Sequence, residues 1–241
     1  MEKMKKTPEN NAKIYRDRKG NFLRKTTETY IKFSLNLDGK GIYKIDSGVP
    51  FFNHMLEQFS KHSRFDITLE AKGDTDIDLH HLVEDIGIVM GGALRELSGD
   101  KKGIQRFGSA FVPMDESMVH SVVDFSGRSF FIYKYDGTDM TEPIKPTEYS
   151  RVLSRLSDKY KEFDKDGIRE ILVDKFFYVY SNIFFEALCK NALINLHINV
   201  LYGSNAHHMV EAVFKATGIS VSNALEVKNN RNTVPSTKGS I

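Results

Sequence analysis

His80-His81-Leu82-Val83-Glu84-Asp85 opens an apolar run, Ile86 to Leu97, that stops at Ser98-Gly99-Asp100. Two adjacent histidines and a carboxylate one turn later, followed by that run, predict a helix from about Leu79 to Leu97 with a glycine stop. On such a helix His80 and Glu84 share a face, and His81 points about 100° away. The geometry suits one histidine for each of two neighbouring metal ions, or one ion and one bystander. His207-His208-Met209-Val210-Glu211-Ala212 repeats the pattern and again opens an apolar helical run, Val213 to Leu225. Four of the chain's eight histidines lie in these two pairs, so internal duplication explains them better than chance pairing on a surface.

Working outward, each half reads as strands and helices in the same order. Thr29 to Leu37 alternates as a strand, Asp38-Gly39 marks a hairpin turn, and Gly41 to Ile45 is the expected return strand. Pro50 to Ser63 reads as a helix, Arg64 to Ala71 as a strand, and Asp74 to Asp78 leads into the first motif helix. In the second half Gly108 to Val112, Ser117 to Asp124 and Gly127 to Tyr135 read as strands. Phe176 to Asn191 reads as a helix and Ile194 to Tyr202 as a strand before the second motif helix. Residues 1–25 are polar and lysine-rich and are expected to be a disordered extension. The rest, 26–241, is expected to form one domain of two half-repeats, about 26–100 and 104–227. A charged insertion near 136–169 would carry a short amphipathic helix at Val152-Leu153-Leu156-Tyr160, and a tail would follow at 233–241. Two such halves packed together give an α+β sandwich.

Composition narrows the function. A formal charge of +2 over 241 residues makes no case for nucleic acid. No run of 18 apolar residues predicts a membrane span. The single cysteine, Cys189, lies in a Phe-, Leu- and Ala-rich run, where it reads as a small buried hydrophobe and suits a reducing compartment. A cytoplasmic location is expected. The acidic residues and scarce serine of the N-terminal segment speak against a transit peptide, with organelle import left open.

The repeat sharpens the metal argument. His54 lies on the helix before the first motif, and its counterpart before the second motif is Ile183. Pseudo-twofold pairing then assembles two unequal sites. One would hold His54, His81, His207 and Glu211. The other would hold His80, Glu84 and His208, with Ile183 where a fourth ligand would go. Imidazole with carboxylate suits manganese, iron or zinc.

Several stretches together resemble the imidazoleglycerol-phosphate dehydratase family. They are Phe51-Phe52-Asn53-His54-Met55-Leu56, Gly73-Asp74 through Asp85, Pro113-Met114-Asp115-Glu116, and Asp124-Phe125-Ser126-Gly127-Arg128. His207 through Ala216 and Val234-Pro235-Ser236-Thr237-Lys238-Gly239 complete the set. The resemblance implies a duplicated α+β fold, ribosomal-protein S5 domain 2-like, with two manganese ions between subunits of an octahedral 24-subunit homo-oligomer. It implies histidine biosynthesis, with a phosphorylated imidazole, imidazole glycerol phosphate, dehydrated to imidazole acetol phosphate by Lewis-acid catalysis. Glu28 matches the family's substrate-contacting glutamate and proton shuttle. Glu84 and Glu211 match metal ligands at the catalytic centre. Arg106, Arg128, Ser236, Thr237 and Lys238 match phosphate contacts. Taken alone, each arginine reads as a surface or ion-pair residue, and Lys101-Lys102 as a solvated turn.

Two departures from the family matter. Asn53 replaces the usual Asp beside His54, turning a carboxylate expected to orient that histidine into a neutral amide. Ile183 replaces a histidine, and an isoleucine binds no metal. An active lyase is therefore weighed against a non-catalytic metal-binding or assembly homologue. A zinc peptidase is set aside, because its inverted motif needs His-x-x-Glu-His and position 85 is Asp.

Overall fold

A computed structural model describes residues 17–135, 138–139, 173–174, 176–228 and 233–239. Residues 1–16, the Val152-to-Tyr160 helix, most of the expected insertion and Ile241 lie outside the described residues. In the first half, β1 (Lys19–Lys25), β2 (Thr29–Asn36), β3 (Tyr43–Asp46), α1 (Pro50–Ser63), β4 (Asp66–Gly73) and α2 (His80–Ser98) follow in order. In the second, β5 (Phe107–Met114), β6 (Ser117–Asp124), β7 (Phe130–Tyr135) and the two-residue β8 (Thr138–Asp139) come first. A π-helical turn, Phe176–Tyr180, then leads into α3 (Ser181–Ala192), β9 (Asn195–Tyr202) and α4 (Ala206–Leu225). The sheets run β1-β2-β4-β3 and β5-β6-β9-β7-β8, so the halves share one topology with β8 added at an edge.

Each sheet turns one face inward, as the alternation of its strands requires. Ile31, Phe33, Leu35, Ile67 and Leu69 point in from the first sheet, and Val119, Val123, Leu196, Ile198 and Val200 from the second. Helices α1, α2, α3 and α4 fill the space between. α2 covers β1 and β2 and packs on α3; α4 covers β5 and β6 and packs on α1. Helices therefore pair across the halves. Gly91 of α2 faces the backbone of Leu188 and Ala192, and Gly218 of α4 faces the backbone of Phe59 and Ser63. The rings of Phe52, Phe184, Phe185 and Phe214 interlock at the centre. Burying one such side chain contributes about 1.5–3 kcal/mol.

Two expectations need correction. The ordered chain starts before Thr26, because Lys19–Lys25 pairs antiparallel with β2 along its whole length. Asp38-Gly39 makes no hairpin: β3 pairs parallel with β4, on the far side from β2. The reason is Asp66. Its Oδ1 accepts from the amides of Lys40 at 2.8 Å and Ile42 at 3.0 Å, and its Oδ2 from Asn36 Nδ2 at 3.1 Å. These bonds draw the loop across the end of β4. Burial alone would raise the Asp66 pKa, but those donors outweigh it and hold the carboxyl below its ordinary value. Among the described residues, no helix is long and apolar enough to cross a membrane.

The cross-half contact makes a paired prediction. A Cβ on Gly91 would sit 2.4 Å from the Leu188 carbonyl oxygen, whereas one on Gly92 meets nothing within 4 Å. Gly91→Ala should destabilise by about 1–3 kcal/mol, the range for overpacking, despite alanine's better helix propensity. Gly92→Ala should be neutral or stabilise by up to about 1 kcal/mol. Urea unfolding of both variants gives the signs.

Candidate metal and substrate site

Both histidine pairs open helices whose first amides are capped. Asn205 Oδ1 accepts from the amides of His207 at 2.9 Å and His208 at 3.3 Å, and Asp78 Oδ1 accepts from the amide of His80 at 2.8 Å. Because α4 lies on α1, His54 is brought to the second motif. His54 Nε2 lies 3.2 Å and His207 Nε2 3.1 Å from the same oxygen, Glu211 Oε2. The three ligand atoms lie within 4.8 Å of one another, the spacing of donors around a common cation. Phe51 meets the His207 ring edge-on at 5.3 Å between centroids, fixing its plane. Lys215 Nζ holds the other oxygen, Oε1, at 2.7 Å. Burial alone would raise the Glu211 pKa; Lys215 and His54 outweigh it and keep the carboxyl below its ordinary value. Two imidazoles and an ionised carboxylate fit a divalent manganese, iron or zinc ion.

The first motif is built differently. His80 Nε2 and Glu84 Oε2 are 3.9 Å apart, and both side chains are about half exposed. Gly91 and Gly218 stand equally far along their helices from the first histidine, and His54 and Ile183 stand equally far before Phe59 and Leu188. The packing register thus puts Ile183 in the place of His54, where it lies partly buried against the core. One cross-half group has three donors, and its counterpart has two. His81, expected beside His54, is held elsewhere: its Nδ1 contacts Asp74 Oδ2 at 2.9 Å and lies 3.6 Å from Glu28 Oε2. Asp74, then burial acting in the opposite sense, then Glu28 set a raised pKa for that ring. His208 Nδ1 contacts Glu116 Oε2 at 2.7 Å rather than joining His80. The His208 contact and the Asn205 amide hold the Glu116 carboxyl far below its ordinary range.

Glu28 sits in the turn from β1 to β2. Thr26 Oγ1 accepts from the amides of Glu28 at 3.1 Å and Thr29 at 2.9 Å, which fixes the turn. A shallow cleft of about 310 Å³ runs from Lys25 past Glu28 to Lys72 and Asp74. Beneath the turn, Thr29 Oγ1 donates to buried Asp85, and Arg24 Nη2 pairs with the other Asp85 oxygen at 2.8 Å.

The expected phosphate residues are only partly gathered. Arg106 pairs with Asp124 at 2.7 Å and donates to the Pro235 carbonyl at 2.8 Å, which ties the segment carrying Ser236, Thr237 and Lys238 to the β5–β6 sheet. The Thr233 carbonyl accepts from the Gly103 amide at 3.1 Å. Arg128 is exposed two residues before β7, with its amide on Ser126 Oγ. Lys101, read as solvated, is buried, and burial lowers its pKa. Asn53 does not orient His54: its Oδ1 accepts from the Ser47 amide at 2.8 Å and the Ser47 hydroxyl at 2.5 Å, pinning the entry to α1. Cys189 is buried, donates to the Ile194 carbonyl, and burial pushes its thiol up to about 11, so it is no nucleophile.

Asp74, Asp85, Arg24, Glu116 and Lys215 escaped the sequence reading as site residues. Lys215 was findable, four residues after Glu211 on one helix face. Glu116 was findable too: like Glu28, it immediately precedes the second strand of its half.

Residues 47–221 match the family model of imidazoleglycerol-phosphate dehydratase. A Geobacter sulfurreducens protein of that name is 43% identical over 224 residues, covering 93% of this chain and 99% of its own length. One from Clostridium botulinum is 41% identical over 230 residues, covering 95% and 97%. The crystal structure of imidazoleglycerol-phosphate dehydratase from Staphylococcus aureus superposes with a TM-score of 0.61 at 31% identity, over 87% of this chain and 99% of that one. The Pyrococcus furiosus structure superposes with a TM-score of 0.65 at 29% identity, over 91% and 100%.

The Asp85 link is directly testable. Asp85→Ala leaves Arg24 and Thr29 without their acceptor and should destabilise the protein by about 1.5–3 kcal/mol, the range for hydrogen bonds to a charged group. Urea unfolding of the variant against the wild type measures it.

Proposed function

The chain belongs to the imidazoleglycerol-phosphate dehydratase family, and we propose that it is the manganese-dependent hydro-lyase that converts imidazole glycerol phosphate to imidazole acetol phosphate in histidine biosynthesis. The observation that carries this reading is the convergence of His54 and His207 on a single oxygen of Glu211. Divalent ions, when bound, would act as Lewis acids on the imidazole of the substrate. His54, His207 and Glu211 would hold one ion and His80 with Glu84 another, with His81 and His208 completing the sites across subunits. Lys215 keeps one Glu211 oxygen occupied and so aims the other at the ion. Glu28, half exposed on a turn fixed by Thr26, is free to carry a proton to or from the substrate. Arg128 and Lys238 supply the cationic donors that a phosphate needs, and Arg106 anchors the segment bearing Ser236 and Thr237.

A homo-oligomer is part of this reading, and an asymmetry between the sheets supports it. The outer face of the first sheet carries Lys19, Asn21, Lys32, Glu70 and Lys72 around one exposed apolar side chain, Leu23. The equivalent face of the second exposes Phe107, Phe111 and Phe130, with Phe111 stacked on His120 at 3.8 Å. An apolar face of that kind is normally covered, and a 24-subunit cage would cover it. The lone buried thiol suits a cytoplasmic enzyme.

Ile183 favours one competing reading, a non-catalytic homologue with an impaired metal site. A dehydration assay on manganese-loaded protein decides between them: turnover is expected, and its absence at saturating Mn²⁺ would leave the homologue reading. Metal titration adds a second expectation. The wild type should bind two ions per chain with unequal affinity, and Ile183→His should tighten the weaker one, because affinity follows ligand number and type. Equal sites unaffected by the substitution would contradict the register that equates Ile183 with His54. For the phosphate, Arg128→Ala and Lys238→Ala should each weaken substrate binding by about 1.5–3 kcal/mol without loss of fold. Steady-state KM and kcat with a far-ultraviolet spectrum check this.

A further inference from the structure

The two halves can be compared turn by turn. Glu28 immediately precedes β2, and Glu116 immediately precedes β6. Each faces the Nδ1 of the second histidine on the helix that covers its own sheet, Glu28 at 3.6 Å from His81 and Glu116 at 2.7 Å from His208. Duplication therefore brought the same carboxylate to the same imidazole nitrogen twice, and the halves then diverged. Glu116 is fully engaged. Its Oε1 accepts from the Ser117 hydroxyl at 2.9 Å and from the amides of Asn205 at 2.9 Å and Ser204 at 3.3 Å, while Oε2 holds His208. In the first half that duty falls to Asp74, the residue after β4, whose Oδ2 lies 2.9 Å from His81 Nδ1. The residue after β9 is Gly203. A Cβ there would sit 2.5 Å from the Met209 side chain and 2.6 Å from Ser117 Oγ, so a carboxylate side chain would have to displace both.

We propose that Asp74 and Glu116 are positioning residues that hold His81 and His208 by Nδ1 and present Nε2 of each ring to a divalent cation, and that Asp74, by taking over His81, leaves Glu28 free for the substrate. The proposal rests on the metal reading given above. A ligating imidazole is fixed in tautomer and plane by an acceptor on its other nitrogen, and a carboxylate acceptor also raises its basicity. With a carboxylate on Nδ1, the proton stays there and Nε2 keeps its lone pair. His208 Nε2 lies 3.7 Å from the exposed Asp115 carboxylate, beyond hydrogen-bond distance, and so has no hydrogen-bond acceptor at that nitrogen among the described residues. Glu28 and Asp74 share one histidine but differ in setting: the Asp74 side chain is 21% exposed and that of Glu28 53%. The less exposed group orients, and the more exposed one, on the rim of the cleft, is left to react. In the second half Glu116 does the orienting, and both of its oxygens are engaged.

The test uses the full-length protein with two readouts that do not depend on turnover. In metal-free, ¹⁵N-histidine-labelled protein, His81 and His208 should show the Nδ1-protonated form, and Asp74→Ala and Glu116→Ala should each abolish it for the corresponding ring. In Mn²⁺ titrations the same alanine variants should bind at least about tenfold more weakly, as loss of a ligand's outer partner does. Asp74→Asn and Glu116→Gln, which keep an acceptor oxygen, should recover most of that affinity, and Glu28→Gln should bind Mn²⁺ like the wild type. Wild-type protein that binds no Mn²⁺ overturns the metal reading and the proposal with it. Wild-type binding, with alanine variants unchanged in affinity and tautomer, overturns the positioning role alone. Glu28→Gln weakening Mn²⁺ as much as Asp74→Ala overturns the division of labour.

Discussion

Everything in this molecule depends on how closely two pairs of helices approach across the duplicated halves. Gly91 lets α2 rest on the backbone of α3, and Gly218 lets α4 rest on the backbone of α1. A methyl group at either place would push the helices apart, and a packed interior does not absorb such a change freely. That contact sets the register of α1 against α4. The register, in turn, puts His54 against His207 and Glu211, residues from opposite halves of the chain. The meeting of two imidazoles with one carboxylate is therefore a consequence of helix packing, and the same packing delivers an isoleucine to the equivalent place in the other pair.

Much of the architecture was legible in local patterns. Helices α1 and α2 were recognisable within a residue or two, because their apolar positions recur with the helical period, α1 opens on a proline and α2 stops at a glycine. β1 was not. Lys19–Lys25 alternates, but every inward position is only half-buried and every outward one is exposed, so composition resembled a solvated tail. The repeat held the missing clue: the second half has two paired strands before its parallel one, and the first half needed a partner to match β5. The Asp38-Gly39 turn signal was also overridden. A local dipeptide preference of this kind is weak beside three hydrogen bonds to one aspartate from a distant strand.

At the site, the grouping of His54, His207 and Glu211 was readable, whereas the places of His81 and His208 and the residues that hold them were not. His207 and Glu211 are four residues apart, and His54 follows from the repeat. Asp74 on His81, Glu116 on His208 and Asp85 beneath Thr29 are contacts between elements, and no spacing rule reaches across them. Asn53 shows the reverse error. Its place next to His54 suggested a role toward that ring, but on a helix adjacent residues diverge by about 100°, and Asn53 turns to Ser47 instead.

The central claim is that one cross-half group holds a cation with three protein donors while its duplicate offers two. Crystals grown with Mn²⁺ and measured at the manganese absorption edge test it most directly. The account predicts a strong anomalous peak ligated by His54, His207 and Glu211, and a weaker peak beside His80 and Glu84 on the side of Ile183. Two peaks of equal height, or a peak at the first site that leaves His54 uncoordinated, would contradict it.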